Sequence, residues 1–520
     1  MLLTAFLLAV TASAVELTVT TNTGRFVGGL NDTYPDVRHF KWIPYAKPPV
    51  GDKRWTPPEP VENSSTLYES TTFGPACSQY VSAIPTAWWL NITGNLIVNF
   101  GEALNAGLVA QNSAEDCLSL AIWTPANATA ESKLPVMIFT TGGGDQTGGI
   151  NIPTQMPANW VQRTQKHIVV TMNYRVNIFS YPNARGLNGS SNFAIQDQRA
   201  AVEWVSRNIE AFGGDPDQLT LWGQSAGAGL TDQYLFAWPK DPIVRASVSS
   251  SGVAVGRASN QDYSGSNFTF VAKAMGCDFE DATLELQCMR RVPMPRLVNF
   301  VGQWQDNSSL VYTSQPTITF TRIADNKFIF SNSQYISKYE NGQIARIPKI
   351  VGTTARESAP LVPYPRDNYT AGPSEDLVYS RTLATVCAAY NTSVLRDNAG
   401  LATYRYQWAG NFSNINGQVP WLGAYHYSDL YMFFGTYPIA PGPIPNFEVE
   451  TSEKMQDLLY DFVADPTCLP SKGWPQFHAT VPDGGQLARF GAHGDALQLV
   501  DGNDVDGACH IAGAVYDTTP

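Results

Sequence analysis

Gly223-Gln224-Ser225-Ala226-Gly227 is the stretch that decides the fold and chemistry expected of this chain. The apolar run at residues 219–222 before it is typical of a buried strand, and the small residues after it favour the tightly packed start of a helix. A serine at the apex between a strand and a helix forms a nucleophile elbow. Glycines flank the serine because a Cβ there would collide with the adjoining strand and helix. Ser225 is therefore the candidate nucleophile.

A serine hydroxyl needs a base to take its proton, and histidine suits that role near neutral pH. In an elbow of this kind the acid and the histidine follow the serine along the chain. Four of the six histidines are disfavoured because they precede Ser225 or lack strand context: His39, His167, His478 and His510. His426 is favoured over His493 because a predicted strand precedes it and an apolar run follows it. His493 instead lies in a polar tail after the last expected helix, residues 453–463.

The third member of a triad must be an acid between the serine and the histidine, at the end of a strand. Glu357 has this position, directly after the apolar run at 349–353. It would hold the imidazole in the correct tautomer and stabilise the imidazolium that forms. A surface ion pair with Arg356 is the alternative, and the chain order Ser225, Glu357, His426 favours the triad.

The oxyanion of a tetrahedral intermediate needs preorganised N–H donors. Gly143 and Gly144 follow a buried apolar run at 135–139, and their backbone N–H groups carry no obstructing side chain. Ala226 offers the N–H directly after the nucleophile. These three residues are the candidate oxyanion hole, and a flexible turn is the alternative interpretation of the glycines.

The pattern of elements predicts one large α/β domain over residues 15–520. Strands are expected at 120–123, 135–139, 168–175, 219–222, 246–250, 349–353 and 404–408, and helices at 197–212 and 453–463. Alternation of strands and helices implies a mostly parallel sheet. The irregular stretches after residue 250 are expected to form a helical cap around a substrate cavity.

Cysteines bound the most apolar loop of the chain, residues 78–116. Its apolar residues, with hardly any charge, favour a mobile lid or pocket wall, and packed core is the alternative. Cys77 with Cys117 and Cys277 with Cys288 could each close a loop. A bond between Cys468 and Cys509 would tie down the C-terminal tail and leave Cys387 as a buried free thiol, although sequence alone does not fix this connectivity.

Several features predict secretion. Residues 1–14 combine an apolar run with a small-x-small cleavage site, as in a signal peptide, although no basic residue precedes the run. No other apolar stretch is long enough to span a membrane. Ten Asn-x-Ser/Thr sequons are an unusual density for a cytosolic chain: Asn31, Asn63, Asn91, Asn127, Asn188, Asn267, Asn307, Asn368, Asn391 and Asn411. The net charge of −12 argues against nucleic acid or an anionic membrane as a partner.

With these motifs in order, the chain resembles the type-B carboxylesterase/lipase family, which includes cholinesterases and secreted fungal lipases. The similar segments are residues 40–55, 114–118, 212–227, 423–435 and 474–475. The resemblance implies an α/β-hydrolase fold and ester hydrolysis through an acyl-enzyme. It also implies the roles given above to Ser225, Glu357, His426 and the oxyanion residues, and the pairs Cys77–Cys117 and Cys277–Cys288.

Three positions depart from the family pattern. Thr141 stands where a histidine usually precedes the glycines, and Asp145 stands where an aromatic residue is common. Gln224 replaces the glutamate that cholinesterases carry beside the serine, which disfavours cationic choline esters. The shape and charge of the oxyanion rim are therefore expected to differ.

The sequence thus predicts a secreted serine hydrolase for small-molecule or lipid esters with an apolar acyl or alcohol part. Contact with a lipid interface is expected if the enzyme is a lipase, and neither a metal nor another cofactor is expected. The alternative is a non-catalytic interaction protein of the same fold, since the family includes adhesion proteins that lost the serine.

Overall fold

The computed structural model describes residues 15–87, 106–256, 260–310, 317–417 and 419–520. The predicted signal peptide, residues 1–14, and the centre of the predicted lid loop, residues 88–105, lie outside the described residues. The extent of the domain and the lid therefore stay predictions.

An eleven-stranded mixed sheet organises the described chain. Its strands, in chain order, are β1 (Gly29–Leu30), β2 (Val37–Pro44), β3 (Ser119–Pro125), β4 (Leu134–Thr140), β5 (Ile168–Met172), β6 (Gly214–Gln224), β7 (Ala246–Ser250), β8 (Lys349–Thr354), β9 (Thr403–Trp408), β10 (Gln486–Ala492) and β11 (Asp495–Asp501). They lie in the order β11-β10-β9-β8-β7-β6-β4-β5-β3-β2-β1. The seven strands from β10 to β5 in that order are mutually parallel, and the flanking strands are antiparallel. The mostly parallel core and the elbow at the end of β6 agree with the α/β-hydrolase fold that the resemblance implies.

Helices cover both faces of this sheet. The α-helices of the described residues are α1 (Ala158–Thr164), α2 (Asn177–Ser180), α3 (Phe193–Asn208), α4 (Ala226–Ala237), α5 (Ser266–Ala274), α6 (Ala282–Arg290), α7 (Met294–Leu310), α8 (Asn332–Glu340), α9 (Glu375–Asn398), α10 (Asp429–Phe434), α11 (Asn446–Ala464) and α12 (Gly502–Asp506). Small additional strands are Thr18–Thr21, Gly24–Val27, Leu67–Glu69, Ala76–Cys77, Tyr80–Val81, Leu108–Val109 and Ser113–Ala114. None of the helices in the described ranges is both long and apolar enough to cross a bilayer.

Alternating side chains of the central strands fill two separate cores. Val136 and Ile138 of β4 point into one cluster, and Met137 and Phe139 point into the other. Such continuous burial is expected of parallel strands that are covered by helices on both faces. It explains why these strands read as uninterrupted apolar runs in the sequence.

The tail after the long helix α11 was predicted wrongly. Residues 486–501 form the hairpin β10–β11 at the edge of the sheet, and His493 lies exposed in its turn. The pattern was hidden because Arg489, in the middle of β10, is fully buried and bonded to Gln407 and Asp517. A buried arginine breaks the apolar run by which a strand is recognised.

Three disulfides connect the described chain. Cys77 is bonded to Cys117 and Cys277 to Cys288, the pairs that the resemblance implies. The third possibility considered from sequence is wrong, because Cys387 is bonded to Cys509 and Cys468 is the free thiol. Helix α9 carries Cys387 beside the C-terminal tail, a proximity that sequence spacing does not reveal.

Candidate active site

The nucleophile elbow lies where β6 meets α4. Ser225 has φ 56° and ψ −121°, a strained conformation for a residue with a side chain. Its N–H donates to Ser250 O of the neighbouring strand at 2.8 Å. A Cβ on Gly223 would lie 2.2 Å from Gly227 O, and a Cβ on Gly227 would lie 2.2 Å from Thr140 O. Both flanking glycines are therefore required by the close approach of β4, β6 and α4.

His426 and Glu357 meet on loops that leave β9 and β8. The imidazole Nδ1 lies 2.5 Å from Glu357 Oε2. The other carboxylate oxygen of Glu357 accepts a hydrogen bond from Thr354 N at 2.8 Å, and its side chain is 1% exposed. A further backbone bond, from Arg356 N to Ala424 O at 2.9 Å, joins the two loops. A carboxylate held in this way selects the tautomer with the proton on Nδ1 and leaves Nε2 as an acceptor.

The acceptor nitrogen of His426 faces the elbow. His426 Nε2 lies 3.2 Å from the amide nitrogen of Gln224, the residue that precedes Ser225. The sequence alone connects Gln224 only with substrate preference, and no local signal indicates a contact 202 residues along the chain. The imidazole thus lies against the turn that carries Ser225.

The glycine loop lies against the same turn. A Cβ on Gly142 would lie 2.5 Å from Gln224 Oε1 and 2.9 Å from Ser225 Cβ. Gly143 has φ +121°, and a Cβ on it would lie 2.2 Å from Thr147 O. Within the described part of the chain, the backbone N–H groups of Gly143, Gly144 and Ala226 form no hydrogen bond. They are therefore free to bind an oxygen atom beside Ser225.

Asp429 is a second buried carboxylate behind the histidine. It is fully buried on α10, and its Oδ2 accepts a hydrogen bond from Tyr406 OH at 2.8 Å. The pKa of Asp429 is raised to about 7, chiefly by burial and also by the charge of nearby Glu357, whereas the Tyr406 bond opposes the rise. Sequence reasoning did not single out Asp429, since an acid at the start of a helix is unremarkable.

A cavity of about 160 Å³ adjoins the glycine loop. Gln146 and Thr147 line it on the loop side, and Val298 and Val301 of α7 line it with methyl groups. Elsewhere in the described ranges, no cluster of three or more His, Cys, Asp or Glu side chains could hold a metal ion.

Comparison with known proteins gives related sequences over almost the whole chain. Residues 15–385 match the model of the carboxylesterase family. A chlorogenic acid esterase of Aspergillus niger is 38% identical over 95% of this chain and 94% of its own length. Secreted lipase 5 of Gibberella zeae is 37% identical over the same shares. An inactive carboxylesterase-like protein of Byssochlamys spectabilis, VdtD, is 32% identical over 51% of this chain and 44% of its own.

Proposed function

Because this chain belongs to the carboxylesterase family, we propose that it is a secreted serine hydrolase that cleaves carboxylic esters through an acyl-enzyme. The observation that carries the proposal is the contact of His426 with both Glu357 and the residue before Ser225. An imidazole oriented by a carboxylate beside a serine at a strained turn is the arrangement that acyl transfer needs.

In the first half of the reaction, Ser225 Oγ attacks the carbonyl carbon of the ester and gives its proton to His426 Nε2. The carbonyl oxygen becomes an oxyanion, which the N–H groups of Gly143, Gly144 and Ala226 stabilise. His426 then returns the proton to the alkoxide as the carbon–oxygen bond breaks. The alcohol leaves, and the acyl group stays on Ser225.

In the second half, water replaces the alcohol. His426 takes a proton from the water as it attacks the acyl carbon, and the same N–H groups stabilise the second oxyanion. Collapse of that intermediate returns the proton to Ser225 Oγ and releases the carboxylic acid. Glu357 stabilises the imidazolium that forms twice in the cycle.

The cavity beside the glycine loop favours esters with an apolar group of moderate size. Its methyl-lined side suits an alkyl or aromatic group, and Gln146 and Thr147 offer polar atoms to a hydroxylated one. The relatives are named as a chlorogenic acid esterase and as a secreted lipase. Two measurements distinguish these classes. The first compares the rates on esters of graded acyl length with the rate on chlorogenic acid. The second compares the rates below and above the substrate concentration at which an emulsion forms. A rate that does not rise at the interface would rule out the lipase version.

Exposed glycosylation sequons support secretion. Of the nine sequons in the described residues, seven have an exposed asparagine: Asn63, Asn127, Asn188, Asn307, Asn368, Asn391 and Asn411. Two of the relatives are also named secreted lipases. An enzyme recovered from culture medium with its N-terminus near residue 15 and a mass that falls on deglycosylation would support this. A chain retained in the cell at full length would contradict it.

The test of the reaction is Ser225→Ala. We expect turnover of a p-nitrophenyl ester to fall by about 10⁴-fold or more, with an unchanged circular dichroism spectrum. Ser380→Ala, at an exposed position on α9, is the matched control and should retain full activity. A fluorophosphonate probe should label the wild type and not the Ser225 variant. An unlabelled, inactive wild type would instead indicate a non-catalytic protein, as the relative named inactive illustrates.

A further inference from the structure

Arg322 bridges the glycine loop and the start of α4. Its Nη2 donates to Asp145 Oδ1 at 2.5 Å and to Ala226 O at 2.5 Å. Its Nη1 donates to Gln233 Oε1 at 2.9 Å, about two helical turns further along α4. The Arg322 side chain is 4% exposed and the Asp145 side chain is 0% exposed. One guanidinium therefore holds the glycine loop and the start of α4 together.

These two segments are the ones that carry the candidate oxyanion donors. Asp145 follows Gly143 and Gly144 directly, and Ala226 follows Ser225. We propose that Arg322 is a positioning residue that fixes the distance between the two halves of the oxyanion hole. This inference rests on the proposed function. It gives a role to Asp145, which stands where the family commonly has an aromatic residue.

The geometry of Asp145 links its side chain to the position of the glycines. Asp145 has φ 67°, a left-handed conformation that aspartate tolerates better than most side chains. Its carbonyl oxygen accepts a hydrogen bond from Asn177 N at 2.7 Å. Its backbone and its side chain are thus both held, so the N–H groups of the preceding glycines have little freedom to move.

The segment that carries Arg322 is itself anchored on both sides. Phe320 O accepts a hydrogen bond from Gln146 Nε2 at 2.9 Å. Ile323 exchanges two hydrogen bonds with the Asn192 side chain, at 2.8 and 3.1 Å. The guanidinium therefore extends from a rigid base, and a shift of the glycine loop would have to break its bond to Asp145.

The Arg322 guanidinium is buried among groups that favour its charged form. Burial by itself lowers the pKa of Arg322, but Asp145 together with the nearby Tyr181 and Tyr174 outweighs burial and raises the pKa above its ordinary value. A guanidinium also donates in several fixed directions, which a lysine ammonium on a flexible stem does not. Lysine at this position would keep the charge and lose the simultaneous contacts to Asp145, Ala226 and Gln233.

The test compares Arg322→Lys and Asp145→Asn with Arg405→Lys. Arg405 forms an equally buried ion pair with Asp506, at 2.6 Å, on β9 away from the glycine loop. We expect both clamp variants to lose about 10²-fold in kcat, as when one oxyanion donor is removed, with KM within about 3-fold. Arg405→Lys should lower the melting temperature to a similar extent and retain kcat.

Binding of a trifluoromethyl ketone, which forms a tetrahedral adduct on the serine, separates positioning from general damage. Its affinity should fall by the same factor as kcat/KM in the clamp variants and stay unchanged in Arg405→Lys. Clamp variants with wild-type kcat and inhibitor affinity would overturn the proposal. The proposal would also be overturned if the loss of activity in the clamp variants equalled the fraction of each variant that is unfolded. If the wild type itself fails to react with a fluorophosphonate, the proposed function fails instead, and the two failures are distinguishable.

Discussion

Asp429 connects the stability of the protein to pH. Its pKa in the folded state is raised to about 7, above the ordinary value near 4, chiefly by burial. A carboxyl group whose pKa is raised in the folded state contributes to the free energy of unfolding fully below about pH 4. It loses that contribution as the pH rises from about 4 to about 7. Asp429→Asn removes the ionisation and keeps an acceptor for Tyr406. We expect the difference in free energy of unfolding between the variant and the wild type to grow by up to about 4 kcal/mol in favour of the variant from pH 4 to pH 8. Urea unfolding at each pH measures this difference.

Glu448 supplies the matched control for that experiment. Burial also raises its pKa to about 7, and its Oε1 accepts a hydrogen bond from Asn414 at 3.0 Å, on α11 rather than beside the histidine. Glu448→Gln should change the pH dependence of stability in the same direction and leave the pH–rate profile unchanged. Asp429→Asn should alter both, because Asp429 lies close enough to interact with Glu357 and His426. Parallel stability curves for wild type and Asp429→Asn would contradict the assignment.

At the level of residues, chain order was a good guide and long-range pairing was not. In the acid and the histidine selected from sequence, Glu357 Oε2 and His426 Nδ1 lie 2.5 Å apart. By contrast, Arg322 and Asp145 are 177 residues apart, and Arg322 stands in a stretch without a motif. A buried ion pair between two loops has no periodicity, so only the folded chain reveals it.

Helix α7 is the element that holds both ends of the loop at residues 78–116. Asp306 accepts hydrogen bonds from Tyr80 OH at 3.0 Å, from Ala83 N at 2.7 Å and from the Ser82 hydroxyl. At the other end of the loop, Val109 N donates to Asn299 Oδ1 at 2.5 Å. The two ends also pair as the short strands Tyr80–Val81 and Leu108–Val109. The base of the loop is thus fixed to α7 by side-chain acceptors.

Asp306→Asn should loosen that base. The amide offers one acceptor oxygen instead of two, so at least one of the three donors loses its partner at a cost of about 1–3 kcal/mol. We expect faster hydrogen exchange at residues 79–87, with a smaller change at the core strand β4. Asn299→Asp keeps the acceptor for Val109 and controls for a changed charge on the helix. Unchanged exchange at residues 79–87 would show that Asp306 does not anchor the loop.

At the level of elements, the central strands were predictable and the edge was not. Strands β4, β7, β8 and β9 begin and end within one residue of their predicted bounds, and β5 ends three residues before its predicted end. Uninterrupted burial gives these strands continuous apolar sequences. The edge strand β11 is mostly partly exposed and carries no such run. The sequence pattern therefore fails where a strand is only partly buried, as in β11, and where a buried charge such as Arg489 is compensated by distant partners.

Over the whole molecule, the C-terminal tail packs behind Glu357, the candidate acid. Tyr516 OH donates to Thr354 O at 3.2 Å, and the N–H of Thr354 in turn donates to Glu357. Arg489 donates to Asp517 at 2.7 Å. The disulfide between Cys387 and Cys509 ties this tail to α9, and hydrogen bonds tie it to β8 and β10.

The Cys387–Cys509 disulfide should contribute more to stability than the free thiol of Cys468. It closes a loop of 122 residues, and the entropy that a crosslink of this length removes from the unfolded chain gives about 2–4 kcal/mol in practice. We expect Cys387→Ser with Cys509→Ser to lose that amount in urea unfolding. Cys468→Ser, which removes only the free thiol and its weak contact to Asp461 O, should change stability by less than about 1 kcal/mol. Peptide mapping under non-reducing conditions should recover residues 387 and 509 in one crosslinked fragment. A fragment that joins residues 468 and 509 would instead restore the pairing considered from sequence, and the stability order of the two variants should then reverse.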